Sequence, residues 1–332
     1  MKPTDFLVVG DVATDTFIKL RDGSATIACD AKGEACTFTI PWGQKITYDF
    51  AVKIGAVGNA GNAAMSAARL GLTTEVLCTT GKDAESDLSV AIFKENGVST
   101  DLFTQVEGSA SNHHFALWYG EDRTIFRKHN VFPYTIPTEQ VPPPFVYLSS
   151  LGDETGKSHT ELLAWLARYP DTKLVFQPGR EISMPREVTA PIFQSAYLSI
   201  CNKEEAESIL GLPSGQDMRE LLMKFAALGT KIVIITNGPK GACAYDGKQI
   251  VQVPAYPDPK PPYERTGAGD AFSSTVAAAL ALGKPLEEAL LWGPVNAMSK
   301  VQKIGGHEGL LSRTDLEAYL AKAPADYKIT KL

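Results

Sequence analysis

The run Gly267-Ala268-Gly269-Asp270 offers the most chemistry in this chain. It stands directly before Ala271-Phe272-Ser273-Ser274-Thr275-Val276, whose apolar positions recur at helical spacing, so the backbone N–H groups of Gly267, Ala268 and Gly269 are placed to converge at a helix N-terminus. Converging amides at the positive end of a helix form an anion hole. Asp270 then falls in the first turn, where the helix end favours an ionised carboxylate and where that carboxylate could take a proton from a bound hydroxyl. A base beside an anion hole is the pairing that phosphoryl transfer needs. The same residues also fit an N-capping Asp after a glycine turn, so the rest of the chain has to decide.

Elements able to position such a site recur along the chain. Residues 6–9 read as a buried strand entering a turn at Gly10-Asp11, and Asp15 follows where ligands lie in a parallel sheet, beyond the carboxyl ends of its strands. From 24 to 54 the pattern changes to short β-like runs, 26–29, 36–40 and 45–48, which predict an antiparallel flap between the first strand and the first helix. Gly58-Asn59-Ala60-Gly61-Asn62 opens a small-residue helix that Gly71 ends. Close packing accounts for its Ala and Gly, whereas the amides of Asn59 and Asn62 could read hydroxyls. Residues 113–127 return the chain to the flap with Phe115, Trp118, Tyr119 and Phe126, which either cover a substrate or form the flap's own core.

Further apolar strands at 145–151, 173–179, 196–202 and 231–238, ending in polar or glycine turns, alternate with helical stretches, which predicts a mostly parallel, doubly wound sheet. Asn202 and Glu205 stand one helical turn apart at a strand end, placed either to hold metal-bound water or to close a capping box. Thr236 to Gly241, with Gly238 and Lys240, suits the phosphates or ribose of a nucleotide and equally a plain hairpin. Gly152-Asp153-Glu154-Thr155-Gly156-Lys157-Ser158 is a decoy: a Walker A loop needs four residues between its glycines, and two of the three here are acidic. In the last long helix, Gly293-Pro294 predicts a kink or a restart.

At 332 residues the chain fits one large α/β domain with an appendage, or two domains. Its net charge of −6 and pI near 5.5 argue against a nucleic-acid partner or an anionic membrane surface, so a polyanion such as ATP must have its charge met locally. Five scattered cysteines without a C-x-x-C pair predict reduced thiols. No H-E-x-x-H is present, and no cage of protein ligands for a metal is expected. The strand that begins at residue 6 leaves no room for a signal peptide, and no apolar run approaches ~18 residues, which predicts a cytoplasmic protein. The turn from Gly10 to Asp15 lacks Gly-x-Gly-x-x-Gly, which excludes a nicotinamide-dinucleotide fold.

Taken in this order, the pieces resemble the PfkB family, the ribokinase-like carbohydrate and nucleoside kinases, over nearly the whole chain. Thr266 to Phe272 is similar to the family's C-terminal signature, Gly58 to Ala63 to its N-terminal Gly-Gly-Asn-x-x-Asn signature, Asn202 and Glu205 to its Asn-x-x-Glu motif, and Thr236 and Gly238 to its Thr-x-Gly turn. Gly10 and Asp15 match its first-strand element. The resemblance implies a single domain over 1–332: a ribokinase-like, doubly wound, mostly parallel α/β sheet with helices on both faces, and a small β-sheet lid from roughly 13–56 and 105–130.

An ATP-dependent kinase acting on a sugar hydroxymethyl group is implied. The alternatives are a nucleoside kinase and, from another class, a non-catalytic metabolite-binding relative. Asp270 would be the base, and Gly267, Ala268 and Gly269 the anion hole. Asp15, Gly58, Asn59 and Asn62 would bind substrate, and Asn202, Glu205, Thr236, Gly238, Gly241 and Asn296 would serve the nucleotide. Magnesium would be supported by Glu205 through water. In several relatives the lid also forms a homodimer contact. Departures from the pattern are Val57 for the first signature glycine, Gln177 for an Asn, and Ser149-Ser150 where ribokinases tend to carry an acid. Glu264-Arg265 replaces the Asp-Thr found beside a monovalent-cation site, and the Arg265 guanidinium is expected to supply positive charge there, making turnover insensitive to potassium.

Overall fold

The computed structural model describes residues 3–30, 36–120, 122–153 and 155–332; residues 31–35 and 121 of the expected lid and Glu154 of the decoy loop lie outside them. The chain runs β1 (Phe6–Val9), β2 (Ala13–Leu20), β3 (Thr26–Cys29), β4 (Cys36–Thr39), β5 (Tyr48–Val57), α1 (Gly58–Arg69), β6 (Thr74–Gly81), α2 (Ala84–Glu95), β7 (Val98–Ser99), β8 (Phe103–Val106), β9 (Asn112–Tyr119) and β10 (Asp122–Lys128). It continues through β11 (Phe145–Leu148), α3 (Lys157–Leu166), β12 (Lys173–Phe176), α4 (Arg186–Ser195), β13 (Leu198–Asn202), α5 (Lys203–Ile209), α6 (Met218–Ala226) and β14 (Ile232–Thr236). The last elements are β15 (Ala242–Tyr245), β16 (Ile250–Val253), α7 (Ala268–Ala281), α8 (Leu286–Lys300), α9 (Arg313–Ala321) and β17 (Thr330–Lys331).

The main sheet has the order β17-β16-β15-β14-β13-β12-β11-β1-β6-β7, with β8 also paired to β6. From β14 to β6 every pairing is parallel, and the antiparallel strands β15, β16 and β17 extend one edge. The strand-by-strand alternation explains why helices cover both faces. In β1, Phe6 and Val8 join the core built with α1, α7 and α8, while Leu7 and Val9 join the core built with α3, α4 and α6. Apolar burial on both sides is what a near-continuous apolar strand requires. No helix among the described residues is long and apolar enough to cross a membrane.

A second sheet of four strands, β10-β9-β2-β5, stands off the main one. It is mixed rather than antiparallel: β2 and β9 pair in parallel. The reason is topological, because β2 follows β1 and β9 follows β8, and β1 and β8 both lie parallel to β6, so the chain enters the small sheet twice in the same sense. Residues 45–47 are not a strand; β5 begins at Tyr48 and runs ten residues to Val57. The decoy loop is no phosphate cradle, since Asp153 itself accepts from the amides of Thr155 and Ser158. α8 passes through Gly293-Pro294 as one helix without a restart. A Cβ at Gly293 would come within 2.8 Å of the Phe272 ring, so the glycine lets α8 approach α7.

The expectation of five reduced thiols is overturned at one place. Cys29 and Cys36 form a disulfide across the β3–β4 hairpin, where they are direct register partners with Cα atoms 4.0 Å apart. Their separation of seven in sequence carries no such signal; only hairpin pairing brings them opposite. Cys78, Cys201 and Cys243 are buried free thiols.

Candidate active site

The carboxyl ends of β12, β13 and β14 open into one cleft through Gln177, Asn202 and Thr236, the place where parallel sheets bind ligands. α7 points its N-terminus into it. Gly267 caps the helix in the left-handed conformation, φ +77°, which a side chain would strain, and a Cβ at Gly267 would also strike the Gly306 carbonyl. At Gly269 a Cβ would meet nothing within 4 Å, so the first turn faces open space there. Its leading N–H groups have no helical partners.

Asp270 is gripped by two amides. Asn62 Nδ2 donates to Oδ2 at 2.7 Å, and Gln177 Nε2 donates to Oδ1 at 2.8 Å. Behind them the Tyr147 hydroxyl donates to Gln177 Oε1, which fixes the amide's orientation. Burial pushes the Asp270 carboxyl above its ordinary 3.8; the Asn62 and Gln177 amides and Lys300 pull it back, and Asp15 pushes it up. A base with a raised value gains its proton earlier as the pH falls. The acid limb of kcat/KM is therefore expected above pH 3.8, and Gln177→Leu, which removes a donor to the ionised form, is expected to move that limb to higher pH. A pH–rate profile in which the limb stays or moves down would contradict this.

Asn62 reaches the base because a glycine lies beneath it. A Cβ at Gly306 would fall inside contact distance of the Asn62 amide, and Gly306 φ is not in the left-handed region, so the effect of a side chain there is steric alone. Gly306→Ala is expected to turn Asn62 off Asp270 and to lower kcat about tenfold, with circular dichroism unchanged. An unaltered kcat would show that the Asn62 contact does not matter. The Asn62 Oδ1 atom is buried without a partner, as are Ser149 Oγ and His114 Nε2.

Asp15 is not in a turn but in β2, buried, with His114 Nδ1 3.0 Å from its Oδ1. Asn59 lines the cleft beside Gln177. Gly58 has φ +87°, and a Cβ there would press on the Asp11 carbonyl at 3.1 Å. The turn after β1 holds Asp11, which accepts from the Tyr134 hydroxyl and from the Gly152 amide at 2.8 Å; burial pushes its carboxyl up. The inner face of the small sheet thus presents Asp15, His114 and Arg123, while Phe115 and Phe126 point outward, 45% and 56% exposed.

Two cavities meet at Thr236, Arg265, Ala268 and Gly269. One of about 210 Å³ is polar and is lined by Asn59, Gln177, Asn202, Glu205, Gly267 and Asp270, among others. The other, about 500 Å³, is lined by Gly238, Gly241, Tyr256, Pro257, Ala297 and Met298, a mostly apolar wall. Asn202 and Glu205 do close a capping box: the Asn202 amide donates to Glu205 Oε2 at 2.9 Å, and the Glu205 amide to Asn202 Oδ1 at 2.7 Å. Burial pushes the Glu205 carboxyl up, with Asp270 adding to it. Asn296 does not reach either cavity. It is fully buried between helices, donating to Thr275 Oγ1 and accepting from the Leu311 amide, both needed to satisfy a buried side-chain amide.

The description "pfkB family carbohydrate kinase" matches residues 23–313. The chain belongs to the PfkB family. It is accordingly a phosphotransferase that acts on an alcohol group, a ribokinase-family sugar or nucleoside kinase. Among PfkB relatives it is 26% identical to the cytidine kinase of Thermococcus kodakarensis, over 91% of this chain and 97% of that one. It is 28% identical to the ribokinase of Bacillus subtilis over 80% of this chain and 87% of that one. The Arabidopsis thaliana ribokinase complexed with ribose and ATP superposes with a TM-score of 0.79 at 18% identity, covering 96% of this chain and 99% of that one. The nucleoside kinase of Methanocaldococcus jannaschii gives 0.76 at 19% identity, covering 96% and 99%. The fold of this PfkB chain is thus the ribokinase fold.

Sequence reasoning on the PfkB motifs missed several residues that the fold brings to the base or to the residues around it. Gln177 entered only as a departure from the pattern, yet it holds Asp270. Tyr147, His114, Arg123 and Gly306 carried no motif at all, and only tertiary packing reveals them.

Proposed function

We propose that the chain transfers the γ-phosphoryl group of ATP to a hydroxymethyl group of a sugar. The observation that carries this reading is Asp270 held by two amides at the open N-terminus of α7. As the acceptor oxygen bonds to phosphorus, its proton passes to Asp270, and the bond to the bridging oxygen breaks to release ADP. Amides of Gly267, Ala268 and Gly269 face the charge that develops on the phosphoryl oxygens. Of these, the Ala268 N–H lies 3.3 Å from the Arg265 carbonyl, a long bond that phosphate can replace.

The apolar cavity suits an adenine ring, with Thr236, Gly238 and Gly241 along its rim. Among the described residues no cluster of His, Cys, Asp or Glu could hold a metal ion alone. Magnesium would be carried by the nucleotide phosphates, with Glu205, which lines the polar cavity, supporting it through water; bound there, the ion would neutralise phosphate charge. Asn59 in the polar cavity, the buried Asp15 and the unpartnered Asn62 Oδ1 would take acceptor hydroxyls. The small sheet would then be the lid that closes on the sugar and keeps water out.

The inward face of that sheet offers a carboxylate, an imidazole and a guanidinium, and its exposed phenylalanines face away, which favours a hydroxyl-rich acceptor over a stacked base. A nucleoside acceptor is the second reading, favoured by similarity to a cytidine kinase along nearly the whole chain. ADP release from ATP and magnesium, measured across pentoses, hexoses, their phosphates and nucleosides, separates the two. Stimulation by sugars supports the proposal. Stimulation by nucleosides alone replaces it with the second reading, and no stimulation by any acceptor overturns both.

A further inference from the structure

Lys300, the last residue of α8, is fully buried, and so is its partner Glu264. Lysine is almost never buried completely, and a buried ion pair is not kept for stability, because well-packed apolar residues serve as well or better. Its surroundings look like an ion's coordination shell rather than a simple bridge. Nζ lies 3.1 Å from Glu264 Oε2, 3.4 Å from the Glu264 carbonyl and 3.4 Å from the Lys303 carbonyl.

Those oxygens belong to the two segments that build the anion hole. Glu264 Oε1 accepts from the Thr266 amide at 2.7 Å and lies 3.3 Å from Arg123 Nε, which also donates to Thr266 Oγ1 at 3.0 Å. Thr266 leads directly into Gly267 to Asp270. Lys303 starts the loop that carries Gly306, which supports both Gly267 and Asn62. The amides of Tyr263 and Glu264 donate to the Val301 carbonyl at 2.8 and 3.1 Å, closing the two segments on each other. Arg265, expected from the sequence to supply the positive charge, is instead exposed at the junction of the two cavities.

We propose that the Lys300 ammonium is a built-in monovalent cation, a positioning residue that holds the 264–270 turn and the 301–309 loop in the shape that forms the anion hole, without a dissolved ion. Removing it leaves a carboxylate and two carbonyls around a space the size of one ammonium head, which potassium or ammonium ions can fill and tetramethylammonium cannot. The turnover arms of the test rest on the kinase reading above; the melting arm does not.

Wild-type turnover is expected to agree within about twofold in potassium, sodium and tetramethylammonium chloride at equal ionic strength. Lys300→Ala is expected to lower kcat about 100-fold, with the acceptor KM little changed. On the order of 100 mM potassium or ammonium chloride is expected to restore about a tenth or more of the loss and to raise the melting temperature about 2 °C or more over tetramethylammonium. The neutral variant Glu264→Gln/Lys300→Met, which keeps the volume without the charges, is expected to be as slow and to show no cation response. Strong potassium activation of the wild type overturns the proposal even if neither variant folds. It is overturned equally by a folded Lys300→Ala with normal kcat, by one with no potassium effect on melting, or by normal turnover in the neutral variant. Should the wild type turn over no acceptor, the kinase reading fails, and melting of wild type and Lys300→Ala in potassium against tetramethylammonium still decides the role of Lys300.

Discussion

Asp270→Asn is expected to lower kcat by about three to four orders of magnitude, the share of the rate that a positioned base and its orientation supply together, while ATP still binds. The fold should survive the change for a specific reason. Both carboxylate oxygens now accept from amide N–H groups, so the new Nδ2 must face one donor. Gln177 cannot turn, because the Tyr147 hydroxyl occupies its Oε1. Asn62 can turn, because its Oδ1 has no partner and would accept from the new amide. The variant therefore exchanges one hydrogen bond for another and loses only the proton acceptor. Calorimetric titration with ATP, beside single-turnover kinetics, reads the two halves separately. Near-normal turnover would refute the assignment of the base.

Asp15→Ala is expected to act on the acceptor and not on the nucleotide. A buried carboxylate that accepts two hydroxyls contributes about 3–4 kcal/mol in charge-assisted hydrogen bonds, so kcat/KM for the acceptor should fall about 100- to 1000-fold. The KM for ATP should stay within about twofold, since Asp15 lines neither the polar nor the apolar cavity. His114 loses the partner 3.0 Å away and swings free, which adds to the acceptor term. Equal losses for acceptor and ATP would mean that Asp15 supports the fold and not the acceptor.

Much of the architecture was legible because apolar periodicity encodes it directly. The β1, β11, β12, β13 and β14 runs are short, apolar and followed by glycine or polar turns, and they became the parallel ladder whose ends hold the cleft. The Gly267-to-Asp270 run was legible because backbone geometry dictates it: the turn needs glycine at φ +77°, and a helix N-terminus needs no partner to attract anions.

Elsewhere the chemistry depends on contacts far apart in sequence. Lys300 is an ordinary lysine until α8 ends against Glu264, and Gly306 is one loop glycine among many until Asn62 rests on it. Asn296 matched an expected nucleotide role by position, but helix packing claims its amide. The Cys29–Cys36 bond was misread because hairpin register, not spacing, sets that pair. The mixed pairing of the small sheet follows from where the chain leaves the main sheet, which no local pattern records.

The most direct test of the account is the identity of the product. Incubation with ATP, magnesium and the acceptor that stimulates ADP release, followed by phosphorus-31 and carbon-13 NMR, locates the transferred group. A phosphomonoester on the primary hydroxymethyl carbon of a sugar, formed in step with ADP and absent with Asp270→Asn, is the expected result. ADP accompanied only by inorganic phosphate, or an ester that forms equally well without Asp270, would contradict it.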